Sequence, residues 1–237
     1  CAVWGVKASS VISSGAEGEV EKSIISEAKA LLDNILDNDS LDVRLSAGFF
    51  MASRAGENGI VLGETVLPML RQEEGECRSL ADYVPQSGKA PFGVFAIAVH
   101  SQQHPEGCGC EACNNQYDSL MVHSIKVVLA EAASAWLDRK LEQEVGCKVA
   151  KPAAGYASCP DHSLKRDILR MLSPEVGIGL TESCSMIPEA SICGFVVMHP
   201  EAGYPEIRHI GREQYDNYAR ERGFSPDEAR KYLNHLL

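Results

Sequence analysis

Residues 92–100, with the sequence FGVFAIAVH, form a continuous apolar run of the length of one β-strand. No polar residue alternates with the apolar ones, so both faces of this strand should be buried inside the protein. The other predicted elements precede or follow this strand in the sequence.

Four segments before this strand have the pattern of regular elements. They are a helix over 16–38, two short strands over 43–54 and 58–62, and a helical turn or short helix over 64–72. The two strands flank a glycine-containing turn, which predicts a hairpin. Pro68 limits the length of any helix in the last segment.

Four helices are predicted after the strand, and two of them close the chain. Residues 116–145 carry apolar side chains every three or four positions, with charges between them. A second helix is expected to follow Asp161 or Ser163, either of which is a good N-cap. The last begins at Ser225, where a proline at the first helical position and Glu228 three residues after the cap predict a capping box.

The remaining apolar segments predict strands that are mixed irregularly with the helices. Residues 191–200 and 206–211 are expected to pair as strands joined at 201–205. A regular alternation of strand and helix is absent, which favours an α+β architecture with an antiparallel sheet. The sequence also lacks the glycine-rich dinucleotide motif, the P-loop and the serine-hydrolase elbow.

Composition excludes several classes of function. The chain of 237 residues has a net charge of −11, which disfavours nucleic acid as a partner. The sequence has no run of about eighteen apolar residues, so we expect no membrane span. No signal peptide is visible. The nine cysteines are mostly scattered, as in proteins that keep reduced thiols in the cytoplasm.

Residues 151–165, KPAAGYASCPDHSLK, have the pattern of a ligand-binding loop. Lys151 supplies a cation, and the small residues Ala153, Ala154 and Gly155 leave the main chain open to direct contact. Tyr156 adds a flat ring with a hydroxyl group. These features predict a backbone-lined pocket for a small, flat, zwitterionic or anionic ligand, although a tight loop followed by a helix cap has the same pattern.

Two segments carry a resemblance to a known family. CPDHSLK at 159–165 and LTESCSMIPEASICGFVVMHPEAGYPEI at 180–207 resemble the C-terminal activation domain of cobalamin-dependent methionine synthase. AVWGV, AKALLDNIL, LADYV and LMVHSIKVVLAEAASAWL are also similar to segments of that family. The resemblance therefore spans nearly the whole chain, in order.

The resemblance implies a fold and an activity. The family domain is C-shaped, with a twisted antiparallel sheet flanked by helices, and one such domain would occupy residues 1–237. It binds S-adenosylmethionine in a shallow groove and caps a cobalamin-binding domain. An electron from a flavodoxin-like protein and the methyl group of S-adenosylmethionine then restore methylcobalamin, so no catalytic side chain is implied.

The resemblance also assigns ligand-binding positions. They are Asp82 for the ligand's ammonium group, Glu131 as a further acidic residue, Lys151 for the carboxylate, Ala153 and Tyr156 for backbone and ring contacts, and Tyr204 at the pocket edge. Lys151 stands where the family has an arginine, and lysine cannot make the planar two-pronged contact with a carboxylate. Pro205 replaces the second tyrosine of a family pair.

The chain also departs from the family in what it lacks. No cobalamin-binding Asp-x-His-x-x-Gly motif occurs, so the cobalamin is expected on a partner domain or subunit. The acidic net charge is unfavourable for an acidic flavodoxin-like donor, unless a local basic patch exists.

A cysteine-rich insert at 104–115 has no counterpart in the family. His104, Cys108, Cys110 and Cys113 form a Cys₃His set that matches one type of structural zinc site, or else a loop with exposed thiols. Two further functions thus stay open: a non-catalytic module that docks on a corrinoid protein or senses the ligand, and a metal or thiol protein.

Overall fold

The computed structural model describes residues 26, 27, 29–33, 41–101 and 116–237. The strands are β1 Leu41–Ala55, β2 Gly59–Leu62, β3 Thr65–Pro68, β4 Ala90–Ser101, β5 Val149–Ala150, β6 Gly179–Leu180, β7 Met186–Ile187 and β8 Ser191–Met198. The α-helices are α1 Gln116–Val145, α2 Leu164–Arg170, α3 Arg212–Arg222 and α4 Pro226–Leu233. Short 3₁₀ helices cover Leu80–Tyr83, Pro174–Val176 and Asn234–Leu236.

One antiparallel sheet organises the fold. Its strand order is β3-β2-β1-β4-β8-β5, and β6 and β7 form a separate two-stranded sheet. The pairing of β1 with β4 extends from Leu41 opposite Ser101 to Ala52 opposite Ala90. On its other edge β4 pairs with β8, where Phe95 lies opposite Gly194. The predicted α+β class with an antiparallel sheet is therefore confirmed.

The strand β4 is buried on both faces, as its sequence predicts. Phe95, Ile97 and Val99 lie in one apolar cluster with Leu137 and Leu141 of α1. The alternate residues belong to a second cluster that contains the buried face of α2; they are Phe92, Val94, Ala96 and Ala98. A strand between two helical layers needs apolar side chains at every position, which explains the missing alternation.

The long helix α1 is the structure's one described candidate for a membrane span. Its segment Ser119–Val145 passes a test of length and composition, with a mean hydropathy of 1.4. Ala130, Leu137 and Leu141 of this helix are buried in the cluster that covers β4. The core helix of a layered domain passes the same test, so the segment is weak support for a membrane span.

Two secondary-structure predictions are wrong. Residues 64–72 do not form a helix, because residues 65–68 pair with β2 as strand β3 and Pro68 ends that strand. Residues 206–211 form no strand beside β8, because both edges of β8 are already paired with β4 and β5. The backbone of that segment is satisfied elsewhere, through a bond from Ile207 N–H to the Ala157 carbonyl.

The structure confirms the predicted start of the last helix, and it describes only part of the predicted N-terminal helix. In α4 the Ser225 hydroxyl accepts from the Glu228 N–H and the Glu228 carboxylate accepts from the Ser225 N–H, so the capping box is confirmed. Of the N-terminal helix predicted over 16–38, residues 26, 27 and 29–33 are helical. Its other residues lie outside the part of the chain that the structure describes.

Packing at the centre of the sheet predicts how much truncation of a buried side chain lowers the free energy of unfolding. Phe195 of β8 is fully buried and its ring lies 5.9 Å from that of Phe92. We expect Phe195→Ala to lower the free energy of unfolding by about 3–5 kcal/mol, through lost transfer energy and a cavity. Urea denaturation measures this, with exposed Val43→Ala as the control. Similar losses for both variants would contradict the assignment of Phe195 to the core.

Candidate functional site

The loop at 151–156 is attached directly to the sheet. Ala153 forms a bridge with Gly194 of β8, and the Phe195 N–H donates to the Pro152 carbonyl at 3.0 Å. A Cβ atom at position 194 would lie 2.3 Å from that carbonyl oxygen. Only glycine therefore allows the loop to approach β8 this closely.

The turn that follows exposes an aromatic ring. Gly155 has φ of +93°, which favours glycine, and its N–H donates to the Cys159 carbonyl at 2.7 Å. The Tyr156 N–H donates to the Ala153 carbonyl at 3.3 Å. The side chain of Tyr156 is left on the surface, with 72% of the residue exposed. The exposed ring agrees with the sequence prediction for this stretch. The main chain is less open than predicted, because the N–H groups of residues 154–156 are bonded within the protein and the His162 ring packs against Gly155.

The Lys151 side chain points away from this turn into the layer between sheet and helix. Its ammonium group donates to the hydroxyl and the carbonyl of Ser134 and lies 3.1 Å from Asp138 Oδ1. It also lies 5.1 Å from the centre of the Phe95 ring. Burial lowers the Lys151 pKa, and the charge of Asp138 acts against that shift. The prediction that Lys151 binds a carboxylate thus requires this ion pair to open.

Tyr204 lies beside the same stretch. Its hydroxyl oxygen accepts a hydrogen bond from the Lys151 N–H at 3.0 Å, while more than half of the residue is exposed. Three residues later, the Ile207 N–H donates to the Ala157 carbonyl. Tyr204 and Tyr156 are therefore two exposed rings carried by chain segments that are hydrogen-bonded to one another.

Asp82 is held by two arginines. Its carboxylate accepts bonds of 2.7 Å from Arg54 and, through both oxygens, from Arg71. It also accepts from the Ser79 N–H and so completes a capping box on the 3₁₀ helix. Burial acts to raise the Asp82 pKa, but the hydrogen bonds from Arg71, Ser79 and Arg54 outweigh it and lower the pKa to about 2.

The turn that carries Asp82 packs beside the segment that carries Tyr204. The Tyr83 ring lies 5.6 Å from the His199 ring, and a Cβ at Gly203 would be 3.4 Å from the Tyr83 hydroxyl. The turn that carries Asp82 and the 151–156 loop both contact residues 199–207, although no described contact joins the Asp82 carboxylate to Tyr204 or to the loop. We define Asp82, Tyr204 and the 151–156 loop as the loop site.

Glu131 is the predicted residue with the weakest connection to the loop site. It lies on the exposed side of α1, one helical turn before Ser134. Because Ser134 binds the Lys151 ammonium, Glu131 lies on the part of α1 that is nearest to the start of the loop. No described contact joins its carboxylate to the other predicted residues.

A buried polar network that the sequence did not reveal fixes the end of the loop. The carboxylate of Asp161 is fully buried and accepts from the Ser163 N–H and hydroxyl and from the Tyr218 hydroxyl. Arg222 lies 3.3 Å from the same carboxylate and 2.7 Å from that of Asp167. The partners on α3 are more than fifty positions away, so no local pattern indicates them.

A wide cleft lies elsewhere. It has a volume of about 690 Å³ between the β1–β2 turn and α3, and is lined by residues such as Asn58, Arg71, Glu73, Gln214 and Asn217. None of the predicted ligand-binding residues lines it, although Arg71 also binds Asp82. Its abundant carboxylates suit a flat nucleoside less well than the exposed rings of the loop site.

The predicted zinc ligands lie outside the described residues, since His104, Cys108, Cys110 and Cys113 fall in the gap between 101 and 116. Within 41–101 and 116–237, no group of three or more possible ligands is placed to hold a metal ion.

Comparison with known proteins identifies the fold and its relatives. Residues 2–223 match the family model described as "Vitamin B12 dependent methionine synthase, activation domain". The crystal structure of the MetH reactivation domain bound to AdoHcy is similar to this chain, with a TM-score of 0.85 and 26% sequence identity. The match covers 99% of this chain and 83% of that one.

The low pKa of Asp82 predicts how acid affects stability. Its folded pKa of about 2 lies below the ordinary 3.8, so its stabilising effect is full above pH 4 and is lost as pH falls through 2. The gap in unfolding free energy between wild type and Asp82→Asn should therefore close over that range. Urea denaturation from pH 7 to pH 2 measures it, with exposed Asp216→Asn as control. A gap that is independent of pH would contradict the paired carboxylate.

Proposed function

Because the chain belongs to the family of activation domains of vitamin B12-dependent methionine synthase, we propose that it binds S-adenosylmethionine and supports reductive remethylation of cobalamin on a partner. The observation that carries the proposal is the pair of exposed rings, Tyr156 and Tyr204, on hydrogen-bonded segments beside the turn at Gly155. The similar MetH domain, which is bound to AdoHcy, supports the same class of ligand.

The loop site offers groups that match the nucleoside part of this ligand. A flat base can stack on an exposed tyrosine ring, and the main chain between Ala153 and Tyr156 can hydrogen-bond to polar edges of the ligand. Glycine at position 155 keeps that main chain free of a side chain. Ala153 and Tyr156 are therefore proposed as backbone and ring contacts, and Tyr204 as the pocket edge.

The acidic residues fit the cationic groups of the ligand. Asp82 keeps its negative charge at neutral pH because its pKa is about 2. We assign it to the ligand's ammonium group, with Glu131 as a further acidic contact. Four hydrogen bonds from Arg54, Arg71 and the Ser79 N–H already reach the two Asp82 oxygens, so binding of the ammonium group requires one of these contacts to open.

In this reaction the protein has to position the methyl group over the cobalamin and exclude water. The sulfonium group of S-adenosylmethionine already activates the methyl group, so no general acid or base is needed. Reduced cobalamin on the partner accepts the methyl group, and S-adenosylhomocysteine is left. The proposed partner is a cobalamin-binding domain or subunit of methionine synthase, the proposed electron donor is a flavodoxin-like or another reducing protein, and the proposed compartment is the cytoplasm.

A titration with S-adenosylhomocysteine tests the ligand assignment. We expect saturable binding by calorimetry, and a loss of about tenfold or more in affinity for Tyr156→Ala because base stacking is removed. Tyr156→Phe keeps the ring and should retain most of the affinity. If the wild-type chain does not bind the ligand, the proposal is refuted. If Tyr156→Ala and Tyr156→Phe lose the same affinity, the Tyr156 ring does not stack on the base.

The remethylation role has its own assay. A cobalamin-loaded methionine synthase that lacks its activation domain is mixed with this chain, a reductant and S-adenosylmethionine labelled in the methyl group. We expect label to reach cobalamin only when the chain is present. Ligand binding without transfer of label would instead favour the docking or sensing module.

A further inference from the structure

Lys165 is a buried cation without an acidic partner. Only 6% of the residue is exposed, and its ammonium group contacts the Cys184 carbonyl at 3.1 Å and His162 Nδ1 at 3.0 Å. Within the described residues, no carboxylate lies within ion-pair distance of it. Burial lowers the Lys165 pKa, and Cys193 and Cys184 act in the opposite direction.

The contact with Lys165 determines which nitrogen of His162 carries the proton. An ammonium group has donors and no acceptor, so His162 Nδ1 must accept. The imidazole is then neutral, with its hydrogen on Nε2. In the described part of the chain, Nε2 has no protein hydrogen-bond partner, and the residue is exposed. His162 therefore presents a fixed N–H donor at the surface.

That donor lies at the turn of the loop site. A Cβ at Gly155 would be 2.5 Å from His162 Cε1 and 3.0 Å from Nε2, so the ring packs against the bare main chain. A ligand that contacts the Gly155 backbone thus meets the imidazole as well.

The surroundings keep His162 neutral. Burial lowers its pKa, the charges of Lys165 and His235 lower it further, and Asp161 acts in the opposite direction. The Asp161 carboxylate is already bound to Ser163 and Tyr218 and lies near Arg222. A protonated imidazole would place a second cation 3.0 Å from the buried ammonium of Lys165.

We infer that His162 is a further ligand-binding residue, whose Nε2–H donates to the carboxylate of the ligand while Lys165 supplies positive charge behind it. This inference rests on the proposed function. Lys151 cannot fill the same role in this conformation, because its ammonium group is held by Ser134 and Asp138. The His162–Lys165 pair leaves one donor at the surface and one charge that no acidic side chain neutralises within 41–101 and 116–237.

Two ligands that differ in the amino-acid part test the assignment by calorimetry. S-adenosylhomocysteine carries the carboxylate, whereas 5′-methylthioadenosine lacks it. We expect wild type to prefer S-adenosylhomocysteine, and His162→Ala to reduce that preference about ten- to a hundredfold, as for a hydrogen bond to a charged group. Lys165→Met should reduce it in the same direction, and the control Lys140→Met, at an exposed lysine of α1, should leave it unchanged.

The opposite pattern would overturn the inference. If Lys151→Met removes the preference while His162→Ala retains it, Lys151 binds the carboxylate. If both ligands bind but wild type shows no preference, the ligand is recognised through its nucleoside alone and the inference fails, whereas the proposed binding stands. If neither ligand binds, the proposed function fails together with it.

Nuclear magnetic resonance tests the geometry without a ligand and distinguishes it from a purely structural role. Long-range ¹H–¹⁵N correlation of His162 should show the Nε2–H tautomer near pH 7, and adding S-adenosylhomocysteine should shift the Nε2 signal. The Lys165→Met variant should lose the tautomer preference. The inference would be overturned by an Nδ1–H tautomer in wild type, or by an Nε2 chemical shift that does not change when the ligand binds.

Discussion

The antiparallel pairing of β8 with β4 is the constraint on which the rest of the structure depends. It fixes the register that places Gly194 opposite Phe95, and therefore determines which position of β8 faces the incoming loop. The bond from Phe195 N–H to the Pro152 carbonyl then attaches that loop to the sheet. The pairing of β4 with β8 in the core thus determines where Gly155 and Tyr156 lie.

Much of the fold is predictable because its signals are local. The apolar run in β4, the periodicity of α1 and the capping box at Ser225 each act within one segment. The two wrong predictions, at 64–72 and 206–211, concern segments whose structure depends on a distant partner. Strand β3 exists because β2 offers it an edge, and 206–211 is excluded because β8 has none free.

The candidate site was predictable in its chemistry and less so in its contacts. The small residues before Tyr156 indicated an open backbone, but the His162 ring packs against Gly155 and the Gly155 N–H is bonded to the Cys159 carbonyl. The direction of the Lys151 side chain had no local signal, because Ser134 and Asp138 belong to another element. The same applies to the arginines that bind Asp82 and to the environment that makes Lys165 a buried cation.

The close approach at Gly194 also limits how this protein can change over evolutionary time. A mutation there inserts a methyl group 2.3 Å from the Pro152 oxygen, so it displaces the whole loop rather than one contact. Tyr156 and Tyr204, by contrast, are exposed and can be exchanged with little effect on the core. The exposed rings can therefore vary between homologues, while the distance between loop and sheet stays invariant.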